Sequence, residues 1–157
     1  MLRYQYLEKR PIVYVDESGF AVDRPRDRGY SLKGQRCYGI KNWHCRGSVN
    51  AIGAIMDFKV LTVCLFQTNI NAEIFKRWLT QDLLPKLPEK SVIVLDNATF
   101  HKRKDILQAV QEQGHTLEFL PPYSPDLNPI ENKWAQAKAI RRKIRCDPYQ
   151  LFLYPGL

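Results

Sequence analysis

Three short apolar runs constrain the fold more than any other feature: PIVYV (11–15), SVIVL (91–95) and TLEFLP (116–121). The first two are rich in β-branched residues and read as buried strands. Between and after the last two runs lie segments of helical period, KRKDILQAVQEQG and NPIENKWAQAKAIRRKIR. Strands of this kind alternating with helices imply parallel pairing, with helices packed on the sheet. SVNAIGAIM and KVLTVCLFQ flank the dipeptide DF and read as a hairpin. With the first run, they form a three-strand antiparallel meander. The expected order is three strands, helix, strand, helix, strand, helix, an α/β chain with a mixed sheet.

The period changes in NAEIFKRWLTQDLLPKL, where Ile74, Phe75, Trp78, Leu79 and Leu83 share one helical stripe. Asn71 fits the N-cap and Pro85 the end of this helix, and Gly114 fits the stop of the next. The first strand is expected to end near Asp16.

The 157 residues suffice for one domain with a real core. We expect that domain to span 1–157, with its core at about 11–145 and an atypical tail at 146–157. No apolar run approaches the roughly 20 residues that cross a bilayer, and the N-terminus lacks a signal-peptide layout. A cytoplasmic location is therefore expected. The formal net charge of +8 suggests a polyanionic partner, most often nucleic acid. Cys37, Cys45, Cys64 and Cys146 contain no C-x-x-C pair, so all four are expected to be reduced thiols.

Sites in open α/β sheets form at the carboxyl ends of strands. Asp16 closes VYVD and Asp96 closes VIVLD. If these strands are parallel neighbours, both carboxylates emerge at one edge, where they repel unless a cation sits between them. Either aspartate alone has a plainer reading as the start of a turn. Glu131 follows LPPYSPDLNPI, a rigid loop with four prolines. It also has a plainer reading: with Asn128 as cap and Pro129 first in the helix, it occupies the capping-box position. The helix face favours more. Ile130, Trp134, Ala137, Ile140 and Ile144 form an apolar stripe, and Lys138, Arg142 and Arg145 follow within about 40° of the Glu131 line. An acid followed by a row of cations suits a metal ion beside a phosphate backbone. The basic segment containing Arg24, Arg26, Arg28, Lys33 and Arg36 starts just after Asp16 and is expected to contact the same backbone. Glu17 is expected to point away from Asp16 and stay outside the metal shell, and Asp126 to stabilise a turn.

The blocks VYVDESGF, VIVLDNATFHK and LPPYSPDLNPIENKWAQAK, in this order, resemble the catalytic domain of mariner-type insertion-sequence transposases. These belong to the DDE superfamily of ribonuclease H-like endonucleases. The 34 residues between Asp96 and Glu131 fit the bacterial pattern that ends in Glu. The resemblance implies a ribonuclease H-like fold with a mixed five-stranded sheet flanked by helices. It implies Asp16, Asp96 and Glu131 as catalytic, metal-holding acids, with Asn97 and His101 in support. It further implies two Mg²⁺ or Mn²⁺ ions, transposon ends and target DNA as partners, and a homodimer in the active assembly. Helix-turn-helix domains, usual in the family, have no room before the first strand, so the chain is expected to be a fragment, one reading frame of a split element whose separate chain carries them, or a decayed copy. Two rivals are a non-catalytic DNA-binding remnant and a ribonuclease H-like nuclease with a host role. Pro148 and Pro155 in the tail are expected to break the last helix and leave packing incomplete.

Overall fold

The computed structural model describes residues 10–21, 48–97, 102–155 and 157. Its strands are β1 (Ile12–Ala21), β2 (Ser48–Met56), β3 (Lys59–Phe66), β4 (Val92–Leu95) and β5 (Thr116–Phe119). They form one sheet in the order β3-β2-β1-β4-β5. β1–β2 and β2–β3 are antiparallel, and β1–β4 and β4–β5 are parallel. The meander followed by parallel strands is the expected arrangement. The hairpin turns at Asp57 and Phe58, both with positive φ (53° and 63°), which matches the right-handed twist of the strands it joins.

β1 corrects one expectation. It runs five residues past Asp16, because pairing with β2 continues from Asp16↔Gly53 to Ala21↔Ser48. Only its pairing with β4 stops early, at Tyr14↔Val94. β1 therefore overhangs its parallel neighbour. β5 is half-buried rather than buried, as befits the outermost strand.

Alternation along the strands separates two faces. Val13, Val15, Ile52, Ala54, Ile93 and Leu95 pack against Phe75, Trp78, Leu79 and Leu83, and against Ile106 and Val110. The first four of these helical residues lie on α1 (Ala72–Trp78) and the turns that continue it. The last two lie on α2 (Lys104–Glu112). Asn71 caps α1, accepting the Ile74 N–H through Oδ1 at 2.9 Å. Pro85 does not end this helix. A widened π turn at Leu79–Leu83, where the Leu84 N–H reaches the Leu79 carbonyl, leads into a last helical turn, Leu84–Lys86, that includes Pro85.

On the opposite face lie α3 (Ile130–Ile144) and α4 (Pro148–Leu151). Phe20, Ala51 and Ile55 meet Ile130, Trp134 and Ala137 there. Ile144, at the end of the expected stripe, is 43% exposed. The tail also departs from expectation, because it completes the core. Arg145 turns the chain in the left-handed region (φ 52°), and Asp147 and Gln150 form a capping box that starts α4. Cys146, Leu151 and Phe152 then fold back onto Phe20 and Trp134. Pro148 suits the first turn of a new helix, so it redirects the chain without stranding it. Cys64 and Cys146 are free thiols, while Cys37 and Cys45 lie outside the described residues.

Candidate active site

The register of β1 on β4 continues past the last ladder pair. Two residues beyond Tyr14↔Val94 stand Asp16 and Asp96, on the same face by parity. Asp16 is 7% exposed, and Asp96, just after β4, is half-buried. The two aspartates and Glu17 each bring a carboxylate oxygen within 4.8 Å of the others. The convergence of Asp16 and Asp96 follows from parallel pairing. The presence of Glu17 corrects the expectation that it points away. Its Cα does belong to the other face, opposite Ile52. But β4 has ended, and a long side chain can reach round the uncovered margin of β1. The sequence carries no signal for this reach, because it depends on where β4 stops beside β1.

Glu131 arrives from the first turn of α3. The chain enters that helix through a 3₁₀ turn, Pro125–Leu127, which includes exposed Asp126. Tyr123, in the left-handed region (φ 56°), precedes it. Asn128 is buried, accepting the Glu131 N–H on its carbonyl at 3.1 Å and the Ile130 N–H on Oδ1 at 3.4 Å. Pro129 itself offers no side-chain cap, so the Asn128 Oδ1 bond is the one on the first turn, and among the described residues no capping box with Glu131 forms. The carboxylate of Glu131 instead accepts a hydrogen bond from the Asp16 carboxyl.

This contact has an electrostatic cause and consequence. Burial, followed by the hydrogen bond and the charge of Glu131, pushes the Asp16 carboxyl up to about 8. The charge of Glu17 adds to the rise, and a hydrogen bond from the Glu17 backbone N–H opposes it. The charged side chains acting on Asp16 are thus acids, and with burial they favour its protonated form. An all-oxygen donor set with surplus negative charge fits a hard divalent cation, which would take that proton's place.

Asn97 is exposed directly after Asp96. His101 lies outside the described residues, as do Arg24, Arg26, Arg28, Lys33 and Arg36. On α3, Lys138 is half-buried with Nζ 5.3 Å from the Phe20 ring centroid. Arg142 and Arg145 are exposed further along.

A family model described as DDE superfamily endonuclease matches residues 11–148. The chain belongs to the DDE superfamily of endonucleases. No curated protein shows significant sequence similarity to it. Among solved structures, this DDE-family chain is similar to the Mos1 transposase paired-end complex with left transposon end, at 21% identity and a TM-score of 0.63. That match covers 89% of this chain and 45% of the Mos1 chain. The catalytic domain of Mos1 mariner transposase matches at 18% identity and a TM-score of 0.61, covering 95% and 69%. The mariner Mos1 paired end complex with Mg matches at 22% identity and a TM-score of 0.56, covering 81% and 41%. At these identities the likeness is one of fold, and it makes the DDE-family sheet and helices ribonuclease H-like. The chain spans just under half the length of the Mos1 chain in the paired-end complex.

Proposed function

We propose that the chain is the catalytic part of a DNA transposase, in which Asp16, Asp96 and Glu131 hold divalent metal for cutting and joining DNA. The observation that carries this reading is the meeting of acids far apart in sequence. Asp16 and Asp96 lie within 4.8 Å at one sheet edge, and Glu131 is hydrogen-bonded to Asp16. Membership of an endonuclease family and a fold shared with transposase–DNA complexes support it.

Asp16, on the central strand, would hold the metal together with Asp96 and Glu131, two ions in all. When bound, Mg²⁺ or Mn²⁺ would stabilise charge on the scissile phosphate and lower the pKa of a water or a DNA 3′-hydroxyl. The chain's own contribution is to fix the acids on rigid supports: two adjacent strands and a helix whose entry is set by four prolines. Asn97 and His101 would support Asp96. Lys138, Arg142 and Arg145, with the basic segment from Arg24 to Arg36, would hold the phosphate backbone in register. In the first step a water oxygen bonds to phosphorus, and the P–O3′ bond breaks to leave a 3′-hydroxyl. In the second, that hydroxyl bonds to a target phosphorus in line, displacing the target's own 3′-oxygen. The active assembly would be a homodimer on transposon ends and target DNA, with end recognition supplied outside the matched region.

Nicking of supercoiled plasmid and strand transfer, each with Mg²⁺ or Mn²⁺, test this. The wild-type chain should nick, EDTA should stop it, and Asp96→Asn should abolish it. Equal nicking by wild type and Asp96→Asn removes the site. Inactivity of both would leave a DNA-binding remnant.

A further inference from the structure

Glu131 meets Asp16 only if the first turns of α3 lie at the right height above the sheet. A single glycine sets that height. Gly53 is the cross-strand partner of Asp16, on the same face. Its missing side chain leaves a hollow that the indole of Trp134 fills. A Cβ at Gly53 would stand 2.7 Å from Trp134 Cη2 and 3.1 Å from Cζ2, with Val63 Cγ2 at 3.4 Å behind it. The first distance falls about 0.7 Å short of ordinary contact.

The indole has little freedom to turn aside. It is 5% exposed and stands edge-on between Phe20 (6.1 Å, 72°) and Phe152 (6.3 Å, 90°). Its Nε1 has no hydrogen-bond partner among the described residues, so apolar fit and no polar latch seats the ring. Trp134 is three residues after Glu131, on the next turn of the same helix. A ring lifted from the hollow therefore carries the Glu131 backbone with it.

We propose that Gly53 is a positioning residue of the metal centre: by admitting Trp134 against β2, opposite Asp16, it brings Glu131 within reach of that aspartate. The inference rests on the reading of Asp16 and Glu131 as metal-holding acids. Any residue larger than glycine at 53 lifts the helix by a fraction of an ångström. That is the scale at which coordinating groups lose their geometry.

The test measures Mn²⁺ affinity without DNA, from the loss of the free-ion electron paramagnetic resonance signal, with circular dichroism to check folding. Gly53→Ala should bind Mn²⁺ about tenfold more weakly than wild type, in the range seen when supporting groups of a metal site are altered. Adding Trp134→Phe, which removes the two atoms in conflict, should return affinity to within about threefold of wild type. The shorter ring would also relieve a general loss of stability, so affinities are compared only where circular dichroism shows a wild-type fold and melting temperature. Glu131→Gln is the reference and should also bind weakly. If Glu131→Gln weakens binding while Gly53→Ala binds like wild type, the positioning role falls and the metal reading stands. If Glu131→Gln binds like wild type, the metal reading falls and takes the inference with it. Should Gly53→Ala alone fail to fold, the double variant still decides. Folded, it should bind Mn²⁺ more tightly than Glu131→Gln, and binding as weak as that reference overturns the proposal.

Discussion

Asp16 keeps its proton in the folded chain at a pH where an unfolded aspartate has lost it. Its folded value of about 8 lies above the unfolded value near 4. Between the two the folded state binds more protons, so the metal-free chain loses stability as pH rises through that window. Wild-type melting temperature should fall from pH 5 to pH 8.5 relative to Asp16→Asn, which has no carboxyl to ionise. Parallel curves for the two proteins would contradict this. Mg²⁺ should recover more of the wild type's loss at pH 8.5 than at pH 5. His115 works in the other direction. Burial holds its imidazole below the usual range, and Nδ1 accepts the Ser91 N–H at 3.1 Å, so it costs stability on acidification in both proteins. At this scale Asp16 and Asp96 could be paired from sequence, because strand parity is local information. Glu17 could not, because its reach depends on where a neighbouring strand stops.

Helices were the elements read best, and their ends the worst. The stripe of α1 and the Asn71 cap followed from periodicity and one side chain. The continuation through Pro85 did not, since a π turn leaves no mark in a hydrophobic pattern. The tail was misread for a related reason. Proline after a helix signals a break, but the chain's subsequent direction depends on an exposed left-handed residue, Arg145, and on the Asp147–Gln150 box. Leu151 is completely buried against the face that carries α3. Leu151→Ala should therefore destabilise the chain by about 2–5 kcal/mol in a urea melt, the usual cost of emptying such a site. A change below about 0.5 kcal/mol would mean that α4 is an ornament.

For the molecule as a whole, the charge of +8 and the exposed cations of α3 belong to one expectation about DNA. Binding to duplex DNA, followed by fluorescence anisotropy across NaCl concentrations, should weaken steeply with salt. Arg142→Ala should reduce the logarithmic slope by about 0.9, the share of one phosphate contact. An unchanged slope excludes Arg142 from the interface. The mixed sheet was legible because a meander and two helix-linked strands have few ways to pair, while the order β3-β2-β1-β4-β5 came from the structure. What sequence did not display was the unequal length of neighbours. β4 gives out after four residues while β1 carries on beyond it. Along that stretch the acids stand on a shelf without a ladder partner from β4. If they hold cations as proposed, they would regroup around them without breaking a single rung between β1 and β4, leaving the chemistry supple where the scaffold stays stiff.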